Sequence, residues 1–310
     1  MLRVMDVDNV KEPKVTLSKS QSQLSSQSRA VAGIGGLKRG ASSLEPSAFE
    51  QHLNATSTTI AIFQQMDIDE YEGQTCFSNP EKLADMTILR LFGVTDAGVS
   101  AVCHVHGFLP YFYVPAPAGF TDRNLASFIE TLDAALKRDS KRNLGRFVVD
   151  VRIVAKKSIF GYQGPQKTVF LQIFFHFAQQ VAAARRLLEG GFVNFPDFGA
   201  IAFPTFESSL AFELRFMIDT KIRGASWVEL QAGKYKIRTN QNTTSLAQIE
   251  VDVDYKDIIS HEPEGDWSKI APLRILSFDI ECCGRKGVFP DAKEDSVIQI
   301  ANLVTIQGSD

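Results

Sequence analysis

The sequence predicts an α+β protein, strand-rich through its middle and closing on a strand pair that carries acids. Three observations point there. Residues 86–188 switch between segments whose apolar residues recur at every second position and segments with helical spacing. Residues 227–253 hold short β-branched runs separated by turn residues. Arg274-Ile-Leu-Ser-Phe-Asp-Ile-Glu-Cys282 reads as one strand ending on two carboxylates.

Composition bounds the classes. A chain of 310 residues has room for two domains, and 44% hydrophobic residues with 23 Phe supply a sizeable core. The net charge of -3 gives no global basic signature, so any nucleic-acid-binding face has to be local. Cys76, Cys103, Cys282 and Cys283 lack C-x-x-C spacing and read as buried free thiols of a reducing compartment. No run approaches the ~20 apolar residues that cross a bilayer, so a soluble intracellular protein with no membrane contact is expected.

In chain order, residues 1–55 are Ser/Gln-rich and then Gly-rich, and read as a disordered tail whose Lys38-Arg39 pair is solvated. Order begins near Thr59. Asp67, Asp69 and Glu70 lack a Gly-bearing calcium loop and read as a solvated turn. Residues 86–95 and 99–106 flank Asp96-Ala-Gly98, a hairpin signal. Cys103-His-x-His106 has the residue types of a zinc site without a second ligand pair, which favours hydrogen-bonded strand histidines.

Residues 108–114 form an aromatic strand. Thr121 caps a helix bearing Leu125, Phe128, Ile129, Leu132 and Leu136 on one face. Residues 146–154 and 169–177 alternate as strands, and residues 178–188 form a helix closed by Gly190-Gly191. Strand, helix, strand, strand, helix is the ferredoxin-like order shared with RNA-recognition modules. Ile159-Phe-Gly-Tyr162 has a base-stacking composition, but it falls in a loop, where local packing is the default.

Residues 206–223 read as a helix between Ser208-Ser209 and Gly224. Trp227-Val-Glu-Leu230, a Gly-Lys-Tyr turn and Ile249, Val251 and Val253 give the profile of a small β-barrel. Residues 261–267 are a polar linker. Along the strand that follows, Leu276, Phe278 and Ile280 face a core, while Ser277, Asp279 and Glu281 share the opposite face. Paired carboxylates are how Mg²⁺ is held against a phosphate. A loop over 283–296 and a strand over 297–306 complete what reads as the first two strands of a ribonuclease-H-like nuclease sheet.

The 274–282 stretch, with Gly-Arg-Lys-Gly-Val-Phe-Pro290 and Val297-Ile-Gln-Ile-Ala301, resembles the first exonuclease motif of family B replicative DNA polymerases. Phe63-Gln-Gln65, Phe92-Gly-Val-Thr-Asp96, Pro110-Tyr-Phe-Tyr113, Phe212-Glu-Leu-Arg-Phe-Met217 and Trp227-Val-Glu-Leu-Gln-Ala-Gly-Lys-Tyr235 extend the resemblance over roughly residues 60–310. It implies an N-terminal domain over 56–270 and the start of a 3′-5′ exonuclease domain over 271–310. Asp279 and Glu281 then take the place of the first motif's catalytic metal ligands, with two Mg²⁺ ions in the complete site. The resemblance further implies primer-template DNA, regulatory holoenzyme subunits and a sliding clamp as partners, in the nucleus. The remaining exonuclease and polymerase motifs are expected beyond Asp310, so the chain alone is expected to be inactive. The alternative is a non-catalytic nucleic-acid-binding or interaction module.

Overall fold

The computed structural model describes residues 60–77, 85–140, 145–157, 167–239 and 242–308. The tail, Lys38-Arg39 and Ile159-Phe-Gly-Tyr162 lie outside them. Strands β1 (Ala61–Gln74), β2 (Asp85–Val94) and β3 (Ser100–His106) run antiparallel in succession. The expected hairpin between β2 and β3 closes with Thr95 N donating to Val99 O at 2.9 Å, and Gly98 takes a φ of +77° there, which costs a Cβ-free residue nothing. The expected turn at Asp67, Asp69 and Glu70 is instead the middle of β1. A bulge between Gln65 and Asp67 resets the register and sets Asp69 opposite Arg90 of β2. The two form a bidentate pair at 2.5 and 2.7 Å, so the strand supplies the partner that a turn would have taken from water.

Next come β4 (Tyr111–Pro115), α1 (Leu125–Asp139), β5 (Val148–Lys156), β6 (Thr168–Phe175) and α2 (Gln179–Glu189), the element order read from the sequence. Ahead of α1, Thr121 N donates to Asn124 Oδ1 at 2.9 Å. The strands form a separate antiparallel sheet in the order β4-β6-β5. Phe112, Val114, Val151, Leu171, Ile173 and Phe175 turn toward Phe128, Leu132 and Leu136 of α1 and Ala184, Leu187 and Leu188 of α2. The short pair β7 (Asn194–Phe195) and β8 (Gly199–Ala200) adds Phe195, stacked on Phe128 at 4.4 Å.

The helix expected over 206–223 is confined to α3 (Phe212–Thr220). Phe206 is held instead at the free edge of β4, exchanging two backbone bonds of 2.8 and 3.0 Å with Tyr113. At the other end Lys221 turns left-handed, with φ +61°.

Strands β9 (Trp227–Leu230), β10 (Tyr235–Ile237), β11 (Ile249–Asp254) and β12 (Ile258–His261) join β1–β3 in a seven-stranded sheet ordered β10-β11-β3-β2-β1-β9-β12. The barrel expected of these segments is therefore an open sheet, with β10 and β12 at opposite edges. Among the described strands, only β11 against β3 is parallel. One face buries Phe63, Leu91, Cys103, Val105, Val251 and Val253 against Phe212 and Phe216 of α3.

The expected linker over 261–267 is ordered by the large sheet. His261 ends β12 and its ring stacks on Trp267 at 3.6 Å. From there β13 (Arg274–Cys282) pairs antiparallel with β14 (Val297–Ile306) as a two-stranded sheet. Leu276, Phe278 and Ile280, expected in a core, are 58%, 67% and 48% exposed. A lone ribbon has no second layer to cover either face. The loop between its strands is tied by Asp295, whose Oδ2 accepts from Asp291 N at 2.7 Å and from Arg285 at 3.2 Å.

Candidate functional site

Asp279 and Glu281 lie two residues apart on β13, ahead of a bulge between Glu281 and Cys282, so alternation leaves both carboxylates on the same side. Their partners across the ribbon are Ala301 and Gln299. Both residues are exposed, and neither forms an ion pair with any described residue. The one recorded bond is local, Ile280 N donating to Asp279 Oδ1 at 2.9 Å. Two uncompensated like charges with only oxygen donors suit a hard divalent cation. Two carboxylates would fill only part of its shell.

Sequence reasoning missed a second polar assembly on the face of the large sheet opposite α3. Its signal was in the chain as two interleaved alternations: apolar Cys103 and Val105 alternate with His104 and His106, and apolar Val251 and Val253 with Glu250 and Asp252. Because β3 and β11 are paired in parallel, both polar sets emerge on one face. His104 Nε2 meets Glu250 Oε1 at 2.8 Å, and Tyr71 OH meets His104 Nδ1 at 2.9 Å. Burial lowers the His104 pKa, with Arg238 nearby adding to it, so the neutral ring donates to Glu250 and accepts from Tyr71.

Glu250 also accepts from Thr244 N and Oγ1, both at 2.8 Å, and from Ser245 N and Oγ at 3.1 and 2.7 Å. Burial alone would raise its pKa. The bonds from Thr244, Ser245 and His104 overcome that and bring it down to about 2. Asp252 likewise resists burial through His106 and Arg238, and falls to about 2. Arg238 grips both Asp252 oxygens at 2.6 and 2.8 Å.

The Cys103-His-x-His106 grouping does not assemble. Cys103 points into the apolar core and the histidines to the other face, so they act as the hydrogen-bonded strand residues that the missing second ligand pair suggested. The cysteine near His106 is Cys76, just past β1. All four cysteines are free, and of the expected burial only Cys103 shows it fully; Cys283 is exposed.

A third feature is a cavity of about 410 Å³ between the sheets, bounded by Glu70, Tyr111, Val181, Arg185, Ser208 and Arg215 among others. Glu70 Oε2 and Arg215 Nε are buried with no hydrogen-bond partner among the described residues. Burial, and then the charges of Glu213, Glu72 and Asp69, push the Glu70 carboxyl up to about 7.

A strand-rich region leading into an acid-bearing ribbon is similar to parts of family B DNA polymerases. Residues 203–310 match the family model for the exonuclease domain of DNA polymerase family B. Residues 107–182 match that for the N-terminal domain of DNA polymerase delta catalytic subunit-like proteins. The chain resembles the N-terminal part of the catalytic subunit of eukaryotic DNA polymerase delta. It is 47% identical over 253 residues to the DNA polymerase delta catalytic subunit of Mesocricetus auratus, covering 80% of this chain and 23% of that protein. Against the Bos taurus subunit it is 47% identical over 248 residues, covering 78% and 22%. The chain thus spans less than a quarter of the length of these relatives. In fold it matches the family B DNA polymerase of the hyperthermophilic archaeon Pyrobaculum calidifontis with a TM-score of 0.51 at 21% identity, over 79% of this chain and 26% of that one. Among the described residues, no helix is long and apolar enough to cross a membrane.

Proposed function

We propose that this chain is the N-terminal part of a replicative DNA-directed DNA polymerase with 3′-5′ proofreading exonuclease, acting in nuclear DNA replication and repair. Residues 56–270 are its N-terminal domain, with a ferredoxin-like part around β4-β6-β5, and residues 271–310 begin its exonuclease domain. The observation that carries this reading is the pair Asp279 and Glu281 on one side of β13, inside the segment matched by the exonuclease model.

In the complete enzyme these two carboxylates would hold Mg²⁺, which would supply an activated water and charge stabilisation at the scissile phosphate. The chain's own contribution is to keep both acids on one strand face, close to each other and clear of competing cations. Primer-template DNA, the regulatory subunits of the holoenzyme and the sliding clamp are the partners of this reading. A complete polymerase carrying Asp279→Ala and Glu281→Ala should lose excision of a mismatched 3′ nucleotide while extending a matched primer at the normal rate. Undiminished excision would overturn the assignment.

A further inference from the structure

We propose that Cys76, His106 and Asp252 form a binding site for a soft divalent metal ion of the zinc class, separate from the acids on β13. Among the described residues, these three bring one ligand atom each to within 4.8 Å of one another. They come from three places: the segment after β1, the end of β3 and the middle of β11.

The spacings can be set against zinc chemistry. With Zn–S near 2.3 Å and Zn–N near 2.0–2.1 Å, a tetrahedral ion separates a sulfur and a nitrogen ligand by roughly 3.6 Å. Cys76 Sγ and His106 Nε2 are 3.7 Å apart. His106 Nε2 and Asp252 Oδ1, at 2.7 Å, now share a proton. An ion entering between them requires a separation of roughly 3.4 Å, a shift of a few tenths of an ångström for each side chain. The remaining coordination position faces a cavity of about 430 Å³ walled by Gln74, Lys236 and Asn242 among others. Three protein ligands with one open position is a common zinc arrangement.

Protons balance as follows. The Cys76 thiol proton leaves to solvent, and the ring proton of His106 moves from Nε2 to Nδ1. Nδ1 is buried and has no partner among the described residues, so the move breaks no bond at that atom; the Nε2–Asp252 hydrogen bond is given up, and bonds from both atoms to the ion replace it. Arg238 stays on the Asp252 carboxylate as an outer-shell partner that fixes its orientation. It also offsets the aspartate charge, which leaves the thiolate as the dominant ligand. A thiolate with an imidazole selects zinc over magnesium. An ion bound here pins the end of β1 to β3 and β11 and stabilises the folded state, since the site does not exist in the unfolded chain.

Titration of the full 310-residue chain, purified free of metal, with Co²⁺ as the probe tests this. The expected result is a thiolate-to-cobalt charge-transfer band that saturates at one equivalent and is displaced by Zn²⁺. Cys76→Ser should abolish the band, while the paired Cys282→Ser and Cys283→Ser substitutions keep it. Zn²⁺ should raise the Tm of the unaltered chain. Cys76→Asp, which retains an anionic ligand, should lose the band and keep part of that rise. Absence of a band in the unaltered chain overturns the site, as does a band that follows Cys282 and Cys283 or persists in Cys76→Ser.

Discussion

Ala271 N donates to Gln64 Oε1 at 2.8 Å, joining residues 207 positions apart. The same side chain's Nε2 donates to Ala225 O at 2.9 Å and reaches Lys269 O at 3.5 Å, which also accepts from Trp227 Nε1 at 2.9 Å. One buried glutamine of β1 therefore fixes the segment from which β13 departs, so the acid-bearing strand starts from a defined point on the large sheet.

Gln64→Leu fills the same space and makes none of these bonds. It leaves the buried Ala271 N–H without its acceptor, which should cost about 1–3 kcal/mol. Hydrogen exchange should accelerate at residues 269–273, while the amides paired between β2 and β3 hold their protection. Unchanged protection at Ala271 would show that Trp227 and Lys269 alone hold the segment.

Glu250 gives the molecule an acid limit. Its carboxyl titrates at about 2 in the folded chain against an ordinary 4.5. A depressed carboxylate contributes stability that is complete above 4.5 and disappears as the pH falls toward 2, here up to roughly 3 kcal/mol by linkage. Tm should drop steeply across that window. Glu250→Gln should be less stable at neutral pH and should flatten this part of the profile. A variant whose Tm runs parallel to that of the unaltered chain would sink the assignment.

Glu70 acts in the opposite sense. Its pKa stands at about 7, raised by burial and then by Glu213, Glu72 and Asp69. The unfolded chain ionises this group first, so folded stability declines as the pH climbs from 4.5 through 7. Glu70→Gln removes the charge and keeps the shape. It should melt above the unaltered chain in mildly alkaline buffer, with the difference vanishing toward pH ~4. Equal melting temperatures at high pH would mean that Glu70 reaches water more freely than its buried Oε2 indicates.

How much of this was legible in the chain depends on whether the cause was local. The β2–β3 hairpin was readable because its turn chemistry sits within five residues, and α1 and α2 because each carries its own apolar stripe. Asp69 was misread because its reason for being in a strand, Arg90, lies 21 residues away. The barrel reading failed at closure: pattern marks the short strands, but only register and edge pairing decide whether β10 meets β12. Phe206 looked helical and is taken by Tyr113, a contact across 93 residues that periodicity cannot show. Asp279 and Glu281 stood out as acids on an apolar strand. Glu250 and Asp252 did not, since alternating acids ordinarily face water, and here His104, His106 and Arg238 bury them.

Gly93 is a glycine whose necessity comes from packing. It lies in β2 opposite Gln65, next to the β1 bulge. A Cβ at this position would stand 2.5 Å from Gln64 O and 2.4 Å from a Phe63 ring carbon. The carbonyl belongs to the backbone that the bulge holds in place, so it cannot swing aside. Gly93→Ala should therefore destabilise by roughly 1–3 kcal/mol, as overpacking does, despite the ~0.4–1 kcal/mol that reduced chain freedom alone would contribute in its favour. Gly145→Ala is the matched control, since nothing lies within 4 Å of a Cβ there. Urea unfolding of both variants decides the matter. The midpoint should fall for Gly93→Ala and rise slightly for Gly145→Ala, and equal midpoints would show that β1 can move to admit the methyl group.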